Sequence, residues 1–128
     1  MKKSFLDKNM NFLEVIGEGG IAENVFCMDR LIELVEEWGV ERNFFGPGGS
    51  TAKDQLCKLI QEVGELSDNL CKDKDITDDV GDCLVVLIMI ARLKGVSMFD
   101  CLTKAYMDIK DRKGQMQDGV FIKESDLD

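Results

Sequence analysis

The chain has 128 residues, of which 45% are hydrophobic, and its formal net charge is −9 at pH 7, with one proline and no histidine. This length and composition predict one soluble, all-helical domain. The negative charge argues against nucleic acid or an anionic membrane surface as a partner, because proteins bind both through clustered lysine and arginine. Without histidine, acid and base chemistry near neutral pH falls to carboxylates, lysines or cysteines, and metal ligands would be oxygens.

The first part of the chain predicts an N-terminal extension, a helix and a glycine-rich loop. We assign the extension to residues 1–20 and the first helix to residues 22–38, where apolar residues recur at helical spacing until Gly39 stops it. Residues 40–51 (VERNFFGPGGST) predict a loop, because their glycines interrupt regular structure and the final Ser-Thr pair can cap the helix that follows.

A pair of antiparallel helices is predicted at the centre of the chain. The second helix has its apolar residues at steps of three and four, in one stripe, at Leu56, Leu59, Ile60, Val63, Leu66 and Leu70. The third helix contains the run from Cys83 to Ala91 (CLVVLIMIA), which is apolar all round and predicts a helix buried on most sides. Lys72 to Ile76 is too short for anything but an antiparallel return between the two.

A fourth helix and a tail complete the predicted order. Gly95 ends the third helix, Ser97 begins the fourth, and Gly114 ends it. The apolar residues of the fourth helix predict a buried stripe, formed by Met98, Leu102, Ala105, Tyr106 and Ile109. Its basic residues form a dense basic stretch in an acidic chain: Lys104, Lys110, Arg112 and Lys113. The helical domain is therefore assigned to residues 21–114, and residues 115–128 form a tail, predicted as an extended strap with an acidic end.

Four carboxylates flank the turn between the second and third helices. Glu62 and Glu65 lie three residues apart on one face of the second helix, and Asp79 and Asp82 lie in the opening turns of the third. Counted outward from the turn, the two pairs differ in axial position by roughly 6 Å at 1.5 Å per residue, so the four groups are expected to meet, without basic neighbours. Such a cluster predicts a hard divalent cation, because crowded carboxylates repel one another unless a cation neutralises them.

Two simpler interpretations stay open for these residues. A Glu-x-x-Glu pair on a helix edge is most often a solvated face, and Asp75, Asp78 and Asp79 can cap the third helix and offset its dipole. The capping interpretation explains Asp78 well but leaves Asp82, beside the apolar run, without a role.

The same residues carry a resemblance to a known family. QEVGEL (61–66) followed by DDVGDCLVVL (78–87) resembles the MazG-type all-α nucleoside triphosphate pyrophosphohydrolases, whose signature is EExxE followed after a variable gap by ExxD. The similarity runs from about Met28 to Glu124, and WGVERNFF, KLIQEVGEL and KDRKGQM are most similar to the small single-domain members of phage type. The resemblance implies an antiparallel four-helix bundle that assembles as a homodimer or a homotetramer.

The resemblance also implies a metal-dependent reaction. Its cofactor would be Mg²⁺, with Mn²⁺ as a possible substitute, and the ligands would be Glu62, Glu65, Asp79 and Asp82. A metal-activated water would attack the α-phosphorus of a (deoxy)nucleoside triphosphate and release the monophosphate and pyrophosphate, with Glu62 or Glu65 orienting or deprotonating that water.

By the same resemblance, the substrate would be held by residues outside the central helix pair. Lys110, Arg112 and Lys113 would bind the β- and γ-phosphates, although basic residues at a helix C-terminus also match its dipole. Asn43 would hydrogen-bond the base. Trp38 or Phe44 would stack on the base, but the position of Trp38 in an apolar stripe favours a place in the core.

Two departures from the family signature keep other functions open. Gln61 occupies the place of the first Glu and cannot act as a base, so the number of metal ions and the residue that activates water are undetermined. Asp79 replaces the usual Glu of ExxD, but it is only one methylene shorter and can still coordinate. The alternatives are a catalytically weak or inactive helical module that binds a nucleotide or a partner, and a plain oligomeric scaffold.

Cysteine usage and the first residues favour a cytoplasmic protein. The five cysteines are odd in number and show no CxxC spacing, which indicates reduced thiols in the core. Asp7, Lys8 and Asn9 interrupt the apolar segment that a signal peptide requires, and the run from Cys83 to Ala91 is too short to span a bilayer.

Overall fold

The computed structural model of the chain describes residues 27–127, which form four helices followed by a β-hairpin. The elements are α1 (Met28–Glu41), α2 (Ala52–Cys71), α3 (Thr77–Leu93), α4 (Met98–Ile109), β1 (Gly114–Gln117), β2 (Val120–Lys123) and a short 3-10 turn (Glu124–Asp126). The prediction of a mostly helical protein is confirmed. The predicted extension over residues 1–20 and the first residues of the predicted first helix lie outside the described part.

Helix α3 is the centre of the fold, because α1, α2 and α4 all pack against it. Within residues 27–127 the buried large apolar residues and alanine all belong to α3: Val86, Ile88, Met89 and Ala91. The expectation that α3 is buried on most sides is only partly right, since Val80, Leu84 and Leu87 stay exposed along one face. In the described part of the chain, the helices packed around α3 leave that face uncovered.

Gly39 does not end the first helix as predicted; α1 continues through it to Glu41. Gly39 is buried where α1 meets α3, and a Cβ atom built on it would lie 2.9 Å from Phe45 Cε2 and 3.0 Å from the Cε and Sδ atoms of Met89. The absence of a side chain at Gly39 therefore allows α1 to lie close to α3 and to Phe45. Arg92 of α3 adds a second link, because its Nη1 donates to Glu36 Oε2 of α1 at 2.8 Å.

The α2–α3 hairpin follows the prediction closely. Thr51 caps α2 through a reciprocal pair of hydrogen bonds with Asp54, and α2 ends at Cys71. The turn of residues 72–76 returns the chain antiparallel, and Asp75 Oδ1 accepts hydrogen bonds from the backbone N–H and the hydroxyl of Thr77. These bonds place Asp75 at the start of α3, but the N-cap residue of this helix is Ile76, which makes no side-chain cap hydrogen bond.

Helix α2 carries two seams of side chains where the sequence predicted a single stripe. The less exposed seam belongs to the side that packs on α3, and it consists of Ala52, Gln55, Leu59, Glu62, Leu66 and Asn69. The second, which we call the outer seam, is exposed and consists of Leu56, Ile60, Val63 and Leu70. Two polar residues, Glu62 and Asn69, thus occupy inward positions while four large apolar residues face outward.

Helix α4 differs most from the prediction. Its start agrees with the prediction. Gly95 (φ 72°) ends α3, where the N–H of Gly95 donates to Arg92 O and the N–H of Val96 donates to Ala91 O. Ser97 then caps α4. However, every residue from Phe99 to Ile109 is exposed, so the predicted buried stripe is wrong for the described chain. The helix ends at Ile109 and not at Gly114, so the predicted four-helix bundle is not closed within this part of the chain.

The C-terminal tail contains a β-hairpin in place of the predicted strap, so the all-α class needs correction. Strands β1 and β2 pair antiparallel, with Met116 opposite Phe121. Asp118 and Gly119 form the two-residue turn with φ values of 50° and 83°, which is the geometry of a type I′ turn. Among residues 27–127, none of the helices combines the length and the apolar character that a membrane span requires.

Candidate functional site

Three of the four predicted carboxylates come together across the α2–α3 hairpin. Glu62 and Glu65 on α2 and Asp82 on α3 each place one carboxylate oxygen within 4.8 Å of the other two. Glu62 is buried, whereas Glu65 and Asp82 are exposed. The antiparallel return therefore brings the two halves of the motif together, as the residue count from the turn predicted. We call these three residues the carboxylate cluster.

Asp79 is not a member of the carboxylate cluster. It is only 7% exposed, and the side-chain amide of Asn69 donates to both of its oxygens, at 3.1 Å to Oδ1 and 3.0 Å to Oδ2. Asn69 belongs to the inward seam of α2, so this contact joins the two helices near the turn. The prediction of four carboxylates that meet is corrected to three, with Asp79 beside them in a satisfied, buried position.

Glu62 combines an ion pair with an unpartnered oxygen. Lys58, one turn earlier on α2 and outside the QEVGEL motif, places its Nζ 3.0 Å from Glu62 Oε1. The other oxygen, Glu62 Oε2, is buried and has no hydrogen-bond partner in the described part of the chain. A buried carboxylate oxygen without a partner is costly, since it has lost its water without a replacement.

The electrostatics of the cluster reflect this crowding. Asp82 is exposed as a residue, but partial desolvation of its carboxylate raises its pKa, and the nearby charges of Glu62, Asp78 and Asp79 raise it further, while Lys58 acts in the opposite direction. The hydrogen bond to Glu62 and the charge of Glu62 raise the pKa of Lys58. Negative charge thus accumulates at this point of the α2–α3 hairpin, and a single lysine offsets part of it.

Cys83 adjoins this charge without offering a reactive thiolate. Burial first, and then the charges of Glu62, Asp82 and Asp79, raise the pKa of its thiol. A thiol with a raised pKa stays protonated near neutral pH and is a weak nucleophile and a weak metal ligand. The chemistry of the cluster therefore belongs to oxygen atoms.

The residues predicted to contact the base lie at the end of α1 and in the following loop. The guanidinium carbon of Arg42 lies 4.5 Å from the centre of the Trp38 ring, and the centres of the Phe44 and Trp38 rings are 5.3 Å apart. Trp38 is 43% exposed, so its predicted place in the core is wrong. Asn43 adopts a positive φ of 61° and donates through Nδ2 to Pro47 O at 2.9 Å. Asn43 and Phe44 line an open cleft of about 350 Å³.

The predicted phosphate-binding residues follow α4 and do not lie within it. Lys110 Nζ pairs with Asp111 Oδ2 at 3.0 Å, and Arg112 and Lys113 lead into β1. Within residues 27–127, no hydrogen bond or ion pair joins Lys110, Arg112 or Lys113 to the carboxylate cluster. The predicted site residues are therefore not joined to one another by direct polar contacts in the described part of the chain.

Comparison with known proteins gives one distant relative. The chain is 37% identical over 67 residues to the uncharacterized 18.2 kDa protein in the rep-hol intergenic region of Haemophilus phage HP1 (strain HP1c1). The match covers 51% of this chain and 40% of the phage protein, which is less than half of that relative. No protein-family model matches the chain, and no solved structure matches it. This similarity relates the chain to a phage protein and assigns no chemistry to it.

Two residues that shape the site were missing from the sequence-based set. Lys58 stands four residues before Glu62, which is the spacing at which a lysine and a glutamate meet on a helix surface. Asn69 stands seven residues after Glu62 and so shares its side of α2. Both signals are present in the sequence, but the partner of Asn69 is ten residues away in the chain and depends on the hairpin.

Proposed function

We propose that this protein is a Mg²⁺-dependent nucleotide pyrophosphohydrolase of MazG type, which converts a (deoxy)nucleoside triphosphate to the monophosphate and pyrophosphate. The observation that carries the proposal is the buried, unpartnered Oε2 of Glu62 within a cluster that includes Glu65 and Asp82. A solvated acidic face, the simpler interpretation, does not account for a carboxylate that is 7% exposed.

The donors present fit a magnesium ion. All three cluster residues offer carboxylate oxygens, which are the ligands that Mg²⁺ prefers, and the unpartnered Glu62 Oε2 is an oxygen that a cation would satisfy. Glu62, Glu65 and Asp82 would hold the ion, whereas both oxygens of Asp79 already accept from the amide of Asn69. A bound Mg²⁺ would lower the pKa of a coordinated water and offset the charge of the substrate phosphates.

The two glutamates are suited to different roles. Glu62 is buried and ion-paired with Lys58, so its position is fixed. Glu65 is exposed and has no ion pair or side-chain hydrogen bond among residues 27–127, so its carboxylate is free to accept a proton from a substrate water. We therefore assign Glu65 as the residue that orients or deprotonates the attacking water and Glu62 as the anchor of the site.

Substrate recognition is assigned to the loop after α1 and to the segment after α4. Asn43 and Phe44 share one cleft, where an amide beside an aromatic ring suits hydrogen bonding and stacking with a nucleobase. The face of Trp38 is covered by Arg42, so Trp38 supports the loop and is less available to the base. Lys110 and Lys113 would bind the β- and γ-phosphates as point charges, and Arg112 through its planar guanidinium.

A panel of (deoxy)nucleoside triphosphates with detection of released pyrophosphate tests the proposal directly. We expect release that requires Mg²⁺ or Mn²⁺ and that falls by orders of magnitude in Glu65→Gln and Asp82→Asn. Millimolar Mg²⁺ should also raise the melting temperature above that in EDTA, because a ligand that binds only the folded state stabilises it by mass action. Near-full activity of both variants would show that the site assignment is wrong.

A second candidate is a helical module that binds a nucleotide without efficient hydrolysis. It is favoured by Lys58, which already neutralises part of the cluster, and by Gln61, which cannot act as a base. Under this alternative, nucleotides raise the melting temperature but no pyrophosphate is released. Gln61→Glu separates the two, because an added carboxylate should raise kcat of an enzyme and leave a binding module inactive.

A further inference from the structure

Lys58 places an ammonium group at the carboxylate cluster. Its Nζ lies 3.0 Å from Glu62 Oε1, one turn further along α2. The hydrogen bond to Glu62 and the charge of Glu62 raise the pKa of Lys58 most, and the charges of Glu65 and Asp82 raise it further, so all three carboxylates act on the same ammonium. Among residues 27–127, no other lysine or arginine forms an ion pair with a member of the cluster.

This ion pair leaves binding capacity on both of its partners. Lys58 approaches Oε1 of Glu62, whereas Oε2 is buried and has no hydrogen-bond partner in the described chain. An ammonium carries three N–H donors, and the pair with Glu62 uses one of them. The Lys58 side chain is 51% exposed, so its remaining donors are open to a ligand that approaches from solvent. The two oxygens of Glu62 can therefore serve a metal ion and Lys58 together.

The charge balance of a loaded site calls for a cation at this place. The three carboxylates of the cluster carry more negative charge than one divalent ion neutralises, and the phosphates of a nucleotide add more. A phosphate oxygen beside these carboxylates is repelled unless a positive group lies between them. The basic residues assigned to the β- and γ-phosphates follow α4 and have no polar contact with the cluster in the described chain. Lys58 is already there.

We propose, on the basis of the proposed function, that Lys58 is a phosphate-binding residue, which keeps its pair with Glu62 and donates a second N–H to a phosphate oxygen of the nucleotide. The ammonium that opposes the binding of free Mg²⁺ then favours the binding of a polyphosphate to the metal-loaded site. The sign of its effect changes because the free ion is a cation and the polyphosphate is an anion. A lysine that only supports Glu62, or only competes with cations, shows no such change of sign.

Isothermal titration calorimetry of the full chain measures the two effects separately, with Mg²⁺ alone and with inorganic tripolyphosphate at saturating Mg²⁺. We expect Lys58→Gln to bind Mg²⁺ alone more tightly than the wild type. It should bind tripolyphosphate about tenfold to a hundredfold more weakly, because it loses one charge-assisted hydrogen bond. Lys58→Arg keeps a charged donor and should bind tripolyphosphate within about threefold of the wild type.

Lys72→Gln is the matched control. Lys72 pairs with Asp68 at 2.8 Å, with the same four-residue spacing as Lys58 and Glu62 but outside the cluster. Both affinities of this variant should equal those of the wild type. Helical circular dichroism checks that each variant is folded, and Lys58→Met, a second neutral variant, should behave as Lys58→Gln does.

The outcomes distinguish this inference from the proposed function. Tripolyphosphate affinity that is unchanged or higher in Lys58→Gln overturns the phosphate contact. A loss of Mg²⁺ affinity together with tripolyphosphate affinity, or an equal loss in Lys58→Arg, overturns it as well, because Lys58 then only supports the site. In each of these cases the hydrolase stands if the wild type binds Mg²⁺ and releases pyrophosphate. A wild type that binds neither Mg²⁺ nor tripolyphosphate overturns the proposed function and this inference with it.

Discussion

At the scale of single residues, Lys58 offsets part of the negative charge of the carboxylate cluster when no metal is bound. Its ammonium lies 3.0 Å from a buried oxygen of Glu62, and its own pKa is raised by Glu62 and, to a smaller degree, by Glu65 and Asp82. A cation that binds the cluster must therefore compete with a lysine that is already in place. The same lysine keeps the cluster stable when no metal is bound.

Lys58→Gln separates these two effects. Removal of the competing ammonium should raise the affinity for Mg²⁺ several-fold and enlarge the melting-temperature shift between EDTA and Mg²⁺, while the variant in EDTA melts below the wild type because Glu62 loses its partner. Lys53→Gln is the control, because it removes the same charge from the same helix at a residue without an ion pair among residues 27–127. An unchanged Mg²⁺ affinity in Lys58→Gln would argue against a metal at this cluster.

Gly39 is the residue that sets the distance between α1 and α3. Gly39→Ala should destabilise the protein by about 1–3 kcal/mol, because the new methyl group would overlap Phe45 and the fully buried Met89. Gly64→Ala should instead stabilise it by up to about 1 kcal/mol, since Gly64 is an interior helix position with open space at its Cβ. Urea unfolding of both variants measures the difference, and equal stabilisation by the two would contradict the close approach.

At the scale of elements, the N-terminus of α2 is fixed by a capping box. Hydrogen bonds from the backbone and side chain of Thr51 lower the pKa of Asp54 in the folded protein. The unfolded chain therefore binds this proton more tightly than the folded one. The stabilisation is complete above the unfolded pKa of about 3.9 and is lost as the pH falls through the lower folded pKa.

We therefore expect Asp54→Asn to be less stable than the wild type at pH 7, with a difference that shrinks when the pH is lowered from about 5 to about 3. Thr51→Ala, which removes the cap itself, should cost about 1 kcal/mol. Asp100→Asn is the matched control, because Asp100 holds the same position in α4 but, in the described part of the chain, accepts no hydrogen bond from the backbone of Ser97. A difference for Asp54→Asn that is independent of pH would refute the role of the charge.

At the scale of the whole molecule, the described chain has little core of its own. Four buried apolar residues of α3 are a small core for residues 27–127, while the apolar side of α4 and the outer seam of α2 stay in contact with water. If the homodimer that the family resemblance implies covers these surfaces, folding and assembly are coupled. The stability then depends on protein concentration.

The melting temperature should therefore rise by on the order of 5 °C when the protein concentration increases from about 1 μM to about 100 μM. Ile60→Glu should melt at a lower temperature that does not change with concentration, and Met116→Glu should behave like the wild type. A wild-type melting temperature that is constant over this range would be inconsistent with coupled folding and assembly.

Local patterns in the sequence determined the helices and most of their ends. The four helices, the Thr51 and Ser97 caps, the stop at Gly95 and the turn of residues 72–76 all depend on interactions within about one helical turn, which the sequence displays directly. The hairpin was predicted only as an extended strap, although the Asp118-Gly119 pair is a local turn signal that the sequence displays. The approach of Glu62 and Glu65 to Asp82 followed from helical rise and a short return.

The tertiary structure alone decided which side chains of these helices meet. The rotation of α2 about its axis turned Glu62 and Asn69 inward and left Ile60 outward, which gave Asp79 an amide partner and removed it from the carboxylate cluster. The close approach at Gly39 and the exposure of α4 likewise depend on how whole helices pack. Periodicity specifies that a helix has an apolar side, but the packing of neighbouring helices selects which part of that side is buried and which part is left for a partner.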